Sequence, residues 1–210
     1  KFGWIEGVSK LYNSLSNDFL YKDPTRNVIF LDNHDMTRIL SQVGESIPKV
    51  KMGVAWLMTC RGIPQLYYGT EVLMKGISNP DGWVRLDLPG GWEGDQKNAF
   101  TKVGLTPAEL DMLSYTTKLG QFRKSSTAIT KGKMMQYLPN EGLYVYFRYD
   151  QNQTVMCVMN TSEQDRMVDF SDYAERTNGF DSGTDVVSGK AITKQFTIPA
   201  LTMQVMELHK

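Results

Sequence analysis

Asp32, Asn33, His34 and Asp35 follow one another directly after the apolar run Val28-Ile29-Phe30-Leu31. In a parallel α/β protein, catalytic groups gather just beyond the carboxyl ends of buried strands, where this quartet stands. Two carboxylates and an imidazole packed this tightly are costly to desolvate unless hydrogen-bonded, so a purely decorative role is hard to justify. The alternative is a polar turn capping the next element, since Asp and Asn favour such places. A second set lies downstream, where Asp81 and Arg85 place opposite charges four residues apart with Trp83 between them. No Cys/His set has metal-ligand spacing, and no glycine-rich phosphate loop precedes a helix.

The elements that must position these residues alternate in type. Trp4, Val8, Leu11, Leu15 and Phe19 recur at three- and four-residue steps, which predicts an amphipathic helix over roughly 3–20, broken by Asp23-Pro24. Val28–Leu31 reads as a strand covered on both faces. Pro48–Cys60 reads as a helix with Val50, Val54, Leu57 and Met58 inward, and Ile63–Tyr68 as a second buried strand starting near Pro64. A Gly- and Pro-rich stretch, Gly69–Leu105, carries Trp83 and Trp92, and a loop this long in a compact domain is usually functional. Thr106-Pro107-Ala108-Glu109 reads as a capping box opening a helix to about Arg123. Helix, strand, helix, strand, loop, helix implies parallel strands with helical crossovers.

Near residue 125 the pattern changes. Met134–Leu138, Leu143–Tyr149, Thr154–Met159, Lys194–Ile198 and Met203–Leu208 are short runs separated by turns, with Asp150-Gln151-Asn152-Gln153 as a four-residue hairpin link. This half reads as an antiparallel β-sandwich. The expected organisation is thus α/β over 1–125 followed by all-β over 126–210.

Composition excludes several classes. The 210 residues carry 23 basic and 23 acidic side chains, so no net field is available to grip nucleic acid or an anionic membrane. No stretch approaches the ~20 apolar residues that span a bilayer. The opening Lys-Phe-Gly-Trp-Ile-Glu-Gly lacks the apolar core of a signal peptide, and the chain reads as soluble and globular. Cys60 and Cys157 lie in separate apolar runs and read as buried thiols, which leaves the compartment undecided.

Phe30-Leu31-Asp32-Asn33-His34-Asp35, followed by Arg38, resembles the seventh-strand motif of the α-amylase superfamily of glycoside hydrolases. Gly62-Ile63-Pro64-Gln65-Leu66-Tyr67-Tyr68-Gly69-Thr70-Glu71 is similar to that family's eighth-strand motif, one helix further on. The segment up to Trp92 resembles neopullulanase-like bacterial members that degrade starch, and the sandwich resembles the domain that follows the barrel. The resemblance implies the carboxyl-terminal part of a (β/α)₈ TIM barrel plus a terminal β-sandwich. A full barrel needs about 250 residues, and the family's nucleophilic Asp and acid–base Glu motifs, on its fourth and fifth strands, do not occur here.

The resemblance also assigns roles. It implies retaining cleavage of α-glucosidic bonds, with Asp35 hydrogen-bonding sugar hydroxyls and opposing the positive charge of the transition state, and His34 donating to the same glucose unit. Asp32 and Asn33 are expected to support the strand end, Arg38 to clamp a carboxylate bidentately, and Glu71 to serve as a buried hydrogen-bonding support. The Asp81/Arg85 spacing resembles a pair that holds a glucose unit, and Trp83 and Trp92 either stack on sugar rings or anchor the loop. One of Tyr67 and Tyr68 is expected to face the barrel interior and the other the helix layer. The expected partners are an α-glucan oligosaccharide or polysaccharide and the remainder of the barrel, or a second copy, because two parallel strands leave a bare apolar barrel face. No cofactor is expected in this chain, calcium sites in the family lying in earlier parts of the barrel, and a periplasmic or secreted location suits a starch-degrading enzyme. A glucan-transferring or sucrose-acting relative and a non-catalytic carbohydrate-binding homologue are the alternatives.

Overall fold

The computed structural model describes residues 6–210 and begins with α1 (Gly7–Ser16). Trp4 of the expected amphipathic stripe lies outside the described residues. Val8 and Leu15 are buried as expected, but the helix gives way to a 3₁₀ turn, Asn17–Leu20, and Phe19 is exposed. β1 (Val28–Phe30) then leads through the short α2 (Ile39–Gln42) and α3 (Ile47–Thr59) to β2 (Ile63–Gln65), which pairs parallel with β1 in the register Val28↔Ile63 and Phe30↔Gln65. The expected parallel pair with a helical crossover is therefore present, though both strands are shorter than the apolar runs suggested. The expectation that β1 is covered on both faces is not met. Val28 and Ile63 are each 52% exposed and Phe30 41%, because the two strands have helices on one side only.

α3 is buried almost all round: Val50, Val54, Ala55 and Leu57 have no exposed surface, and Met52 and Met58 little. One side packs on the β1–β2 unit, where Gly53 brings the helix so close that an added Cβ would lie 3.3 Å from the Leu31 side chain. After β2, residues 66–106 hold only two 3₁₀ turns, Thr70–Val72 and Asp81–Val84. α4 (Pro107–Ser125) opens with the predicted capping box, the Thr106 hydroxyl accepting from Glu109 N and the Glu109 carboxylate from Thr106 N. α5 (Thr127–Thr130) leads into the second half.

That half is an antiparallel sandwich of β3 (Lys133–Gln136), β4 (Leu143–Tyr149), β5 (Thr154–Asn160), β6 (Arg166–Asp169), β7 (Ser182–Asp185), β8 (Ala191–Thr193), β9 (Gln195–Ile198) and β10 (Thr202–His209), with α6 (Ala174–Thr177) between β6 and β7. One sheet has the order β3-β4-β5-β10-β7-β8, and β6 pairs with β9 in the other. Between the sheets lie Val145, Phe147, Met156, Val158 and Met206 against Val168, Phe170 and Ile198. The opposite face of the large sheet presents Tyr144, Tyr146, Val155, Cys157 and Val205 to the core that contains α3 and α4. β4 and β5 are thus buried on both faces, which is why Leu143–Phe147 reads as an unbroken apolar run.

β6, β7 and β8 escaped the sequence reading. Ser182-Gly183-Thr184-Asp185 has no large apolar side chain, and Gly183 lies so close to β10 that an added Cβ would sit 3.0 Å from the Glu207 carbonyl oxygen. Cys60 and Cys157 are buried free thiols, and burial pushes them up to about 11 and about 12.

Candidate active site

The chain leaves β1 through two side-chain-closed turns. Asp32 points inward, 1% exposed, and its Oδ2 accepts the Ile39 backbone N–H at 2.7 Å at the start of α2. Burial raises its pKa, and the opposing pull of the Ile39 N–H and the Arg38 charge does not offset it. Asn33 Oδ1 accepts from Asp35 N at 2.9 Å. Both side chains thus bond to backbone N–H groups within the segment that follows β1. The turns leave His34 and Asp35 projecting into solvent, with side chains 63% and 64% exposed and His34 Nε2 3.4 Å from Asp35 Oδ2.

A second group reaches them from the long excursion after β2. Arg85 Nε donates to the His34 carbonyl oxygen at 2.9 Å. Its Nη2 lies 3.0 Å from Asp35 Oδ1 and 3.1 Å from Asp81 Oδ2. The structure thus brings Asp35, His34, Asp81 and Arg85 together at the carboxyl end of β1. Trp83 shares the 3₁₀ turn of Asp81 and is exposed, as is Trp92, whose backbone N–H donates to Asp95 Oδ2. Two carboxylates, one guanidinium and an imidazole at an open surface offer both acceptors and donors to a polyhydroxyl ligand.

Three expectations need correction. Among the described residues Arg38 clamps no carboxylate: its side chain is fully buried, donates from Nε and Nη1 to the backbone carbonyls of Val84 and Tyr68 while Nη2 has no hydrogen-bond partner there, and stacks 4.1 Å from the Tyr67 ring centroid and 4.7 Å from that of Tyr68. The reason is position: Arg38 enters under the excursion, where unpaired carbonyls need donors. Tyr67 and Tyr68 do not alternate between two layers, because the chain has left β2 and both rings turn to Arg38, with hydroxyls donating to Val84 O at 3.0 Å and Leu86 O at 2.8 Å. Glu71 buries Oε2 without a hydrogen-bond partner among the described residues, contrary to the expected supporting bonds.

Sequence reasoning missed the staples that hold the excursion. Gly76 N donates to Ser41 Oγ, Arg38 N donates to Gly76 O, and Ser78 N donates to Thr37 Oγ1. Only glycine fits at position 76, since an added Cβ would lie 2.1 Å from the Trp83 carbonyl oxygen.

Residues 6–126 match the family described as alpha amylase, catalytic domain. The chain belongs to the α-amylase family. Residues 134–207 match the cyclo-malto-dextrinase C-terminal domain, so the two family matches fall on the α/β half and on the sandwich. Among curated relatives, a cyclomaltodextrin glucanotransferase of Bacillus sp. (strain 6.6.3) is 27% identical over 92% of this chain, and an alpha-amylase of Niallia circulans is 29% identical over 73%. The chain spans 25% of the length of each. The crystal structure of an alpha-amylase from Geobacillus thermoleovorans, complexed with acarbose, superposes over 95% of this chain and 43% of its own with a TM-score of 0.75 at 21% identity. This α-amylase-family chain thus has the fold of the carboxyl-terminal part of the barrel with its antiparallel β-domain. Among the described residues, no helix is long and apolar enough to cross a membrane, and no three His, Cys, Asp or Glu are placed to hold a metal ion.

Proposed function

We propose that this chain supplies the carboxyl-terminal part of the active site of a retaining α-glucan hydrolase acting on starch-like glucans. The observation that carries the reading is the convergence of Asp35 and His34 with the Asp81–Arg85 pair at the strand end. In retaining cleavage, one carboxylate attacks the anomeric carbon while a carboxylic acid about 5–5.5 Å away protonates the leaving oxygen. Neither of those groups is assigned to this chain. Asp35 hydrogen-bonds sugar hydroxyls and opposes the charge on the oxocarbenium-like transition state, an interaction that strengthens as charge develops. His34 donates to the same unit. Arg85 and Asp81 hold a neighbouring glucose, with the exposed Trp83 indole offering a face to its ring.

Relatives named as glucanotransferases support a second reading, in which a sugar rather than water accepts the glycosyl group. Both are tested by steady-state kinetics on maltooligosaccharides with a protein that joins this chain to the rest of its barrel. Asp35→Asn is expected to lower kcat by on the order of 10²–10³ with KM little changed. A variant retaining more than about a tenth of kcat, far above that expected loss, overturns the role of Asp35. Products longer than the substrate mark transfer, and only shorter ones mark hydrolysis.

A further inference from the structure

Asp35 and Arg85 are 50 residues apart, so something in the fold must hold Arg85 where it meets the carboxylate. The Val84 carbonyl oxygen, one residue before Arg85, accepts two hydrogen bonds at once: from Arg38 Nε at 3.0 Å and from the Tyr67 hydroxyl at 3.0 Å. Arg38 is in turn fixed by stacking over both tyrosine rings, by donating to the Tyr68 carbonyl, and by its own backbone N–H on Gly76 O at 2.9 Å. Arg85 itself is half exposed, and a flexible side chain at an open surface keeps one geometry only if its backbone is pinned.

We propose that Arg38 and Tyr67 are positioning residues which act through the Val84 carbonyl to set Arg85 between Asp35 and Asp81. The guanidinium and the phenol touch no ligand; they fix the backbone from which Arg85 reaches the His34 carbonyl and both carboxylates. Pinning one carbonyl with two donors from different segments over-determines its position, as preorganised sites require. The consequence for glucan binding rests on the function proposed above, whereas the positional claim does not.

The test has two arms. In the 210-residue chain, solvent exchange of the Arg85 Nε–H, which donates to His34 O, is followed by NMR, with Arg85→Lys to assign the resonance. Tyr67→Phe removes one hydroxyl and almost no volume, and is expected to speed that exchange by about 2- to 10-fold, the worth of one hydrogen bond. Arg38→Lys, which cannot span two carbonyls and stack on two rings, should speed it further. Unchanged exchange in folded Tyr67→Phe protein overturns the proposal. In the second arm, maltotriose affinity is measured in the barrel-complete protein as a double-mutant cycle. Tyr67→Phe should weaken binding about 2- to 10-fold with Arg85 present and have no effect in an Arg85→Ala background. An effect that persists without Arg85 overturns the route through Arg85. If the parent protein binds no maltotriose, the glucan reading fails and the exchange arm alone decides the positional claim.

Discussion

Arg148 on β4 donates from Nη1 to the carbonyl oxygen of Thr59, the last residue of α3, at 3.0 Å. Its Nη2 and Nε serve the carbonyls of Gly132 and Lys133, while Arg123 of α4 serves those of Met58 and Gly62. The last turn of a helix leaves carbonyls unpaired and carries the negative end of its dipole, so two guanidinium groups satisfy both needs. Burial lowers the Arg148 pKa, and its guanidinium donates to backbone carbonyls. The sandwich is thus fastened to the α/β half by backbone carbonyls.

Arg148→Ala is accordingly expected to destabilise the chain by about 2–4 kcal/mol, because it strands buried acceptors and leaves a cavity. For a protein of this size each kcal/mol lowers Tm by roughly 2–4 °C. Arg148→Lys should recover only part of the loss. A thermal melt of Arg148→Ala within a degree of the parent would refute the fastening role.

Asp32 supplies a pH signature. Its carboxyl is raised above its ordinary 3.8 by burial. A carboxyl raised in the folded state holds its proton after the unfolded chain has lost it, so its contribution to stability falls as pH rises from about 3.8 through the raised value. Asp32→Asn keeps an acceptor for Ile39 N and has no such penalty. The variant should therefore gain stability relative to the parent between pH 4 and pH 7. Urea midpoints that run parallel across this range would contradict it.

The apolar face of β1 and β2 carries Val28, Phe30 and Ile63 into solvent. Parallel strands with an open edge and an apolar face pair with whatever polypeptide completes them. The 210-residue chain is expected to sediment as more than a monomer, and Val28→Lys combined with Ile63→Lys should shift it toward monomer. A monomeric parent by sedimentation velocity is the opposing outcome.

On the proposed reading the nucleophile and the acid–base carboxyl lie on other strands of the barrel, so the isolated chain is expected to release no reducing sugar from starch or pullulan. In the barrel-complete protein, His34→Ala should cost less in kcat than Asp35→Asn, because it removes a donor and leaves the Asp35 charge in place. The reverse ranking, read from kcat on maltooligosaccharides, would transfer the main electrostatic role to His34.

The sequence alone determined what depends on local patterning. The capping box at Thr106 and Glu109 is written in four consecutive residues, and the structure has it. Leu143–Tyr149 forms a strand over the whole apolar run. The Asp32–Asp35 quartet stands at a strand end because four apolar residues precede it. Tertiary structure decided which side chains meet. Arg38 could have met any carboxylate, and only the folded excursion showed that its Nε and Nη1 go to backbone carbonyls and its guanidinium plane to two tyrosine rings. Arg85 reaches Asp35 across 50 residues because staples at Gly76 and Ser78 and the pinned Val84 carbonyl bring the excursion back over β1. β7 could not be read from Ser182-Gly183-Thr184-Asp185, since its pairing is set by β10 beside it rather than by its own side chains. Local pattern fixes periodicity and caps through neighbours in the chain, whereas long-range hydrogen bonds and two-sided burial depend on surfaces that exist only after the elements have packed.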